Sequence, residues 1–286
     1  MFKNIFHWLF LVLFFIITFS QVHSWWASPP IWWSSYPSLW WTICPDTDLS
    51  DTWLNHLTAT GSPYVVTSSL TLSSWCVLRI EAGTEILVEN WISITISWNL
   101  QANWTLWNPI VFTSYNDNSW LNTEWNWNPL AWSWTYIYMN WSWSDWSLLD
   151  YVEIKYWWSS SAWIHFSSSD STLTNSLISN SATRWIYTTS SFASISNNTV
   201  DNNWAEWIEI YNWTPVLIDS NTITNNWSDW LKIWSIAVAI TNNIISWNTW
   251  YWINSASYTS TFLNNQVLNN WSAIYSKSVE PYLVWS

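Results

Sequence analysis

Two acidic residues in the sequence have the type and the spacing to do chemistry. Glu206 and Asp229 occupy equivalent positions of a repeating pattern, and each precedes a Trp that is followed by an aliphatic residue. On neighbouring strands, about 4.8 Å apart, their carboxyl groups would approach the separation of about 5–5.5 Å found in retaining glycosidases. Paired carboxylates at this distance could equally bind Ca²⁺ through their oxygen atoms. The pair is therefore a weak candidate for a catalytic dyad, or for a glycan or calcium site.

Other polar residues occupy related positions around this pair. Arg184 has the equivalent position one repeat before Glu206. Glu209 and Lys232 each follow one of the two acids, three positions further along the chain. The candidate ligand-binding set is Arg184, Glu206, Glu209, Asp229 and Lys232. The simpler interpretation is a solvated face. Arg184 would then pair with Glu206, and Glu209 with Lys232, in surface ion pairs worth about 0–1 kcal/mol each.

The histidines do not suggest a metal centre. The four His are His7, His23, His56 and His165, and the first two fall in the N-terminal segment described below. The sequence therefore predicts no metal site and no cofactor, apart from the calcium that the acidic pair could bind.

An internal repeat must position these residues. Five Asn recur at gaps of 23, 23, 22 and 22, and each has a second Asn five positions later: Asn175 and Asn180, Asn198 and Asn203, Asn221 and Asn226, Asn243 and Asn248, Asn265 and Asn270. Short Val-, Ile- and Thr-rich runs lie between turns, and no stretch shows a helical period. A period of about 22–23 residues built from short strands is typical of parallel β-helix coils. We expect the Asn to stack as amide ladders at the turns.

Aliphatic residues recur at the same period and identify the predicted core. Three inward columns follow the repeat: Leu177, Val200, Ile223, Ile245 and Val267; Ile195, Ile218, Ile240 and Phe262; and Ile186, Ile208, Leu231, Ile253 and Ile274. Each coil would add one rung of about 4.8 Å to every sheet. Residues 62–286 hold roughly ten such coils.

Tryptophan stands where this repeat calls for small residues. The chain has 36 Trp and 2 Gly, whereas Gly averages about 7% of globular chains. In "NTITNNWSDWLKIW" (221–234) the Trp fall at turns, and the position of Trp252 is taken by Ala273 in the next coil. We therefore hypothesise that most of these Trp are glycines, encoded by UGA codons that were read as Trp. The alternative is a truly Trp-rich chain with many indoles exposed in turns.

With Gly at those positions, the sequence resembles a known repeat. Residues 221–234 become "NTITNNGSDGLKIG", and residues 96–114 become "ISGNLQANGTLGNPIVFTS". Both resemble the coils of right-handed parallel β-helix proteins of the pectate-lyase-like superfamily. The resemblance covers about residues 60–286. It implies an all-β fold, a single-stranded right-handed parallel β-helix of roughly ten 22–23-residue coils.

The catalytic motifs of that superfamily do not transfer to this chain. Pectate lyases use clustered acidic calcium ligands with an Arg or Lys base, but Arg79 lies in the first coils and Arg184 is the one other Arg. Polygalacturonases use Asn-Thr-Asp, paired Asp, Gly-His-Gly and Arg-Ile-Lys motifs. Here His165 lies in "WIHF", and "LKI" (231–233) matches the last motif only distantly. The sequence disfavours an enzyme. The alternative is a polysaccharide lyase or glycoside hydrolase.

The N-terminal part predicts export. Residues 1–24 combine Lys3 with an apolar run and end in small residues, as a secretory signal peptide does. A single membrane anchor is the alternative, although the run is short for a span. Residues 25–50, rich in Ser, Pro and Trp, predict a linker, and residues 51–286 the β-helix domain.

The cysteines and the net charge bear on the cellular location of the protein and on its partners. In an exported protein Cys44 and Cys76 could form a disulfide, with two free thiols as the alternative. The net charge of −12 disfavours nucleic acid and anionic membranes as partners. We predict a secreted or cell-surface, adhesin-like protein that binds polysaccharide or another surface component without catalysis. After signal cleavage it would have no membrane span.

Overall fold

The structure is a computed structural model that describes parts of the chain between residues 38 and 276. The described residues are 38–39, 42–43, 56–73, 76–103, 107–115, 117, 136–140, 144–156, 164–181, 186–204, 208–211, 215–227, 231–234, 238–249, 253–255, 260–270 and 275–276. The chain divides into two units, residues 1–35 and 36–286, and all described residues lie in the second. The predicted signal peptide lies outside them. Within these ranges no helix has the length and apolarity to span a bilayer.

Three parallel sheets follow one another along the chain, and successive coils contribute a strand to each. Sheet 1 consists of β1 (Ser38–Leu39), β4 (Tyr64–Val66), β7 (Glu85–Val88), β10 (Ile110–Ser114), β13 (Val152–Lys155), β16 (Leu177–Ser179), β19 (Thr199–Asp201), β22 (Thr222–Thr224), β25 (Ile244–Ser246) and β28 (Gln266–Leu268). Sheet 2 consists of β2 (Thr42–Ile43), β5 (Leu70–Leu72), β8 (Ser93–Ile96), β11 (Tyr136–Asn140), β14 (Ile164–Ser167), β17 (Ile186–Thr189), β20 (Ile208–Tyr211), β23 (Leu231–Ile233), β26 (Ile253–Ser255) and β29 (Tyr275–Ser276). Sheet 3 consists of β3 (His56–Leu57), β6 (Val77–Ile80), β9 (Asn99–Asn103), β12 (Leu148–Asp150), β15 (Thr172–Thr174), β18 (Ser194–Ser196), β21 (Val216–Asp219), β24 (Val238–Thr241) and β27 (Thr261–Leu263). Strands β1 and β2 fall within residues 25–50 and pair with β4 and β5.

The described chain is an all-β parallel solenoid with about 23 residues per turn, as the repeat predicts. It contains no α-helix in the described ranges, and Ala59–Gly61 forms one 3₁₀ turn. The strands are short because a coil of this length must fit three strands and three turns. Along β13, Val152 and Ile154 are buried while Glu153 and Lys155 are partly exposed, which is the two-residue period of a strand with one face in the core.

The interior is a stack of aliphatic side chains. Two predicted columns are confirmed by the strand register over their described residues: Ile195, Ile218, Ile240 and Phe262; and Ile186, Ile208, Leu231 and Ile253. Ile274 lies outside the described residues. The remaining column is wrong at one position, because Ile178, not Leu177, pairs with Val200 and is fully buried. Leu177 is partly exposed on the other face of the strand.

A buried amide ladder lies where the chain passes from sheet 3 to sheet 1. The Oδ1 atom of Asn221 accepts hydrogen bonds from the backbone N–H and the side-chain amide of Asn198, at 2.9 and 3.0 Å. The same two groups of Asn221 donate to Oδ1 of Asn243, at 2.8 and 3.0 Å. The Asn221 amide also donates to the carbonyl oxygen of Ile195 at 3.0 Å. A second ladder of Asn203, Asn226 and Asn248 repeats this pattern between sheets 1 and 2.

In the coil before these ladders the predicted register is wrong by one position. Ser176 holds the first ladder position, because its N–H donates to Oδ1 of Asn198 at 3.0 Å. Asn175, predicted for that position, instead has a left-handed backbone with φ of 50°. The same shift places Ser181 rather than Asn180 in the second ladder.

A residue with left-handed backbone precedes each ladder residue. These residues have φ between 50° and 61° and form two columns: Asn175, Asn197, Ser220, Asn242 and Asn264; and Asn180, Asn202, Asn225, Trp247 and Asn269. Asn enters this region more readily than other non-Gly residues. Each of these turns therefore needs two polar residues with different roles. The first bends the backbone, and the second bonds one coil to the next.

An insertion interrupts the period ahead of β11. Thr95 and Tyr138 pair on neighbouring strands of sheet 2, although they lie far apart along the chain. A regular turn of the solenoid has about 23 residues, and this coil is almost twice as long. Residues 118–135, which account for most of the excess, lie outside the described residues.

Replacing Asn221 with Ala should lower the free energy of unfolding by about 3 kcal/mol, because two buried backbone groups, the N–H of Asn198 and the carbonyl of Ile195, lose partners worth about 1–3 kcal/mol each. Urea unfolding measures the change. Asn225→Gly is the matched control, since it removes an exposed amide at a left-handed position that Gly tolerates, and it should change stability by less than about 1 kcal/mol. Equal losses in the two variants would contradict the ladder's role.

Candidate functional site

Three of the five predicted ligand-binding residues lie outside the described residues. These are Arg184, Glu206 and Asp229. The carboxylate dyad and its calcium alternative therefore remain predictions. Among the described residues, no three His, Cys, Asp or Glu side chains come together where they could hold a metal ion.

Glu209 and Lys232 lie on adjacent rungs of sheet 2 and form an ion pair. Lys232 Nζ is 3.4 Å from Glu209 Oε1. Trp234 covers the pair, since its Nε1–H donates to the same carboxylate oxygen at 3.2 Å and its ring centroid lies 5.5 Å from Nζ. Glu209 is only 8% exposed. Because the carboxylate is shielded, this contact matters more than the solvated surface pair that the sequence suggests.

A column of stacked rings adjoins this ion pair on sheet 2. The ring centroids of Tyr138 and His165 are 4.8 Å apart, and those of His165 and Tyr187 are also 4.8 Å apart. The rings are tilted by 37° and 47°, and all three residues are partly exposed. Tyr136 meets Tyr138 edge to face at 6.2 Å. We call Tyr138, His165 and Tyr187 the aromatic column.

Strand register positions the aromatic column and the ion pair in one line. Cα partners on successive strands run Thr71, Thr95, Tyr138, His165, Tyr187, Glu209, Lys232, Asn254 and Tyr275. The repeat predicts Glu209 and Lys232 at equivalent positions, and the register agrees. The strand period of two keeps the positions from Thr71 to Lys232 on the face opposite the core columns. We call this line the sheet-2 column.

The sequence interpretation missed Tyr138 and His165 as part of the site. Their alternation with buried neighbours in "YIYMN" and "WIHF" carries the signal, because Ile137 and Ile164 pair in the core. The coil from Tyr138 to His165 is longer than a regular turn, and the coil from Thr95 to Tyr138 is longer still. The irregular spacing therefore hides the column from a search at a fixed 22–23-residue period.

Burial sets the charge state of the central ring. It lowers the pKa of His165 from its ordinary value of 6.5 to about 4, because the charged imidazolium would lose its hydration. The Nε2 atom of His165 lies 3.1 Å from the hydroxyl of Thr189 on the next strand. At neutral pH the His165 ring is therefore uncharged.

The predicted disulfide involves one described residue. Cys76 is buried at the start of the β6 region. Cys76 is disulfide-bonded, and its predicted partner Cys44, the one other cysteine of the chain, lies outside the described residues.

Comparison with known proteins agrees with this architecture. A family model described as a right-handed β-helix region matches residues 137–282, just over half of the 286-residue chain. The chain therefore belongs to the right-handed β-helix family of repeat proteins. No curated protein matches it, and no solved structure does. Membership accounts for the scaffold and assigns no chemistry to the sheet-2 column.

The stability of the protein should fall as the pH is lowered from about 6.5 to about 4. In this window the unfolded His165 binds a proton that the folded residue rejects, so its contribution is complete above pH 6.5 and is lost toward pH 4. The full effect is about 3 kcal/mol. His165→Phe keeps a ring without a titrating nitrogen. Urea unfolding at pH 7 and pH 4 should show that the free energy of unfolding falls more in the wild type than in this variant. Equal decreases in the two proteins would contradict the role of His165.

Removing one partner of the ion pair should cost more than removing both. Lys232→Met leaves the shielded Glu209 carboxylate without its cation, and we expect a loss of about 1–2 kcal/mol in the free energy of unfolding. Glu209→Gln in the same chain should recover part of that loss. A double-mutant cycle by urea unfolding measures the coupling, which we expect to be about 1 kcal/mol. Strictly additive effects would show that the contact is energetically neutral.

Proposed function

We propose that this β-helix protein binds polysaccharide, without catalysis, along the outer face of sheet 2. The observation that carries the proposal is the aromatic column, three ring side chains on consecutive rungs beside an ion pair. A solenoid presents this line parallel to its long axis, so a chain of repeating sugar units can follow it from rung to rung. Such repetition matches a polymer better than a small compact ligand.

The chemistry of the aromatic column suits sugar rings. The face of an aromatic ring is electron-rich, and the C–H groups of a pyranose carry partial positive charge, so the two attract while apolar surface is buried. The tyrosine hydroxyls add donors and acceptors for sugar hydroxyls. Because the rings are tilted and partly exposed, they leave surface for such contacts.

The charges favour a neutral or weakly charged glycan. His165 is uncharged at neutral pH because of its lowered pKa, and Lys232 is paired with Glu209. The described part of the sheet-2 column thus offers no uncompensated cation for a polyanion. The net charge of −12 acts in the same direction.

The surroundings of Glu209 support binding rather than hydrolysis. Its neighbours along the sheet-2 column are Tyr187 and Lys232, so no second carboxylate lies on an adjacent rung of this column. A retaining hydrolase needs two carboxyl groups about 5–5.5 Å apart. The predicted signal peptide, residues 1–24, supports export, and we propose a secreted or cell-surface location.

Binding to neutral and acidic polysaccharides tests the proposal, by affinity electrophoresis with the wild-type protein and two variants. Tyr187→Ala should weaken retention on a neutral glycan about tenfold, equal to about 1.4 kcal/mol, because a sugar ring loses its stacking partner. Tyr187→Phe keeps the ring and should retain most of the affinity.

Phe192→Ala is the matched control. Phe192 is another exposed ring, 54% exposed, and it lies just before strand β18 of sheet 3, away from the aromatic column. This variant should bind like wild type. No retention of wild type by any glycan, or equal losses in Tyr187→Ala and Phe192→Ala, would contradict the proposal. Release of shorter chains during the assay would favour the alternative, a polysaccharide lyase or glycoside hydrolase.

A further inference from the structure

Two neighbouring turns have the same geometry but different central residues. Residues 81–84 ("EAGT") and 89–92 ("ENWI") each lead into a strand of sheet 1 or sheet 2. In both, the N–H of the fourth residue donates to the carbonyl oxygen of the first, at 3.2 and 3.4 Å. The third residue is Gly83 with φ of 69° in one and Trp91 with φ of 67° in the other. Position 91 therefore has the same backbone conformation as the glycine at position 83.

A positive φ at the third position of a β-turn is the signature that selects Gly, or Asn, at that position. Residues with a side chain carry a steric penalty there, because Cβ approaches the neighbouring carbonyl. The indole of Trp91 is 69% exposed, so core burial does not offset the penalty. The backbone conformation of this turn favours Gly over Trp at position 91.

Position 247, in another part of the chain, also has a left-handed backbone. Trp247 has φ of 60° and stands in a column of left-handed residues whose nearest members are Asn225 and Asn269, with φ of 57° and 55°. These positions form the outer bend before the buried ladder. The Trp247 side chain is 62% exposed. A column otherwise held by Asn accepts Gly without strain.

The remaining described Trp residues also avoid the core. None of the eight Trp in the described ranges is buried, and seven are 52–89% exposed: Trp91, Trp107, Trp146, Trp204, Trp227, Trp234 and Trp247. Phe112 and Phe166, by contrast, are 2% and 0% exposed in the same solenoid. Trp is a highly buried residue type on average. Phe112 and Phe166 therefore pack in the core, whereas the Trp side chains of the described ranges do not.

We infer that positions 91 and 247 are glycine in the protein that its source cell makes, because their codon is UGA and that cell reads it as Gly. We extend the inference to the turn positions 107, 146, 204 and 227 from the exposure of their side chains alone, since they have no left-handed backbone. The chain would then carry up to 36 + 2 = 38 Gly, about 13%, in place of two. The stacked rings of Trp204 and Trp227, 5.6 Å apart, would not exist as an aromatic ligand platform. This inference leaves the aromatic column of Tyr138, His165 and Tyr187 unchanged, whereas Gly at position 234 would remove the indole that contacts Glu209 and Lys232.

Peptide mass spectrometry of the protein purified from its source organism tests the inference, together with the codons of the gene. Peptides covering residues 85–96 and 238–249 should have the masses of Gly at positions 91 and 247, and both codons should be TGA. The mass of Trp at either position, or a TGG codon there, would overturn it. Glycan binding is not involved, so this test and the binding test fail separately.

A stability comparison adds a second readout. In protein produced with Trp at position 247, Trp247→Gly should lower the unfolding constant by about five- to thirtyfold, because the left-handed penalty is removed. Trp107→Ala removes an indole that is 89% exposed and has no left-handed backbone, and it should leave the constant within about twofold. An unchanged or raised unfolding constant for Trp247→Gly would overturn the inference.

Discussion

The buried asparagine ladder is the interaction on which the solenoid from Ser176 onward depends. At Asn198, Asn221 and Asn243 each side-chain amide joins two coils and also satisfies backbone groups that the turn leaves inside the fold. An unpaired buried polar group costs about 1–3 kcal/mol, so a coil shifted by one position would leave several such penalties unrelieved. The aliphatic core alone tolerates sliding better, because apolar burial has no direction. The amides therefore define the register, and the core stabilises it.

The register of the coils also determines which side chains are neighbours on the outer surface. Once the ladder aligns one coil with the next, every outward position forms a straight column at the spacing of β-strands, about 4.8 Å. Tyr138, His165 and Tyr187 are aligned by the strand register of sheet 2, although the coils that separate them differ in length and Tyr138 precedes Ser176, where the ladder begins. The contact between Glu209 and Lys232 has the same origin. A binding face on this fold thus needs no dedicated loop, only suitable side chains at one position of consecutive repeats.

Much of the fold could be predicted from the sequence, because the repeat and the strand period act on nearly every residue. The columns through Ile218 and Ile208 are correct at their described positions for that reason. The errors at Asn175 and Leu177 share a cause. Asn serves both the left-handed bend and the buried ladder, and one coil places Ser in the ladder, so residue type alone did not distinguish the two roles. The site was less predictable. Tyr138 and His165 joined Tyr187 only through a register that the insertion conceals from sequence spacing.

Hydrogen exchange of individual backbone amides tests whether the buried amides hold the coils in register. The N–H groups of Asn198, Asn221 and Asn243 donate to side chains of the next coil and are almost fully buried. The account predicts that they exchange as slowly as the amides of the core strands, with protection close to that of global unfolding. Exchange as fast as that of exposed turn amides would show that the ladder opens freely, and would contradict its role in setting the register.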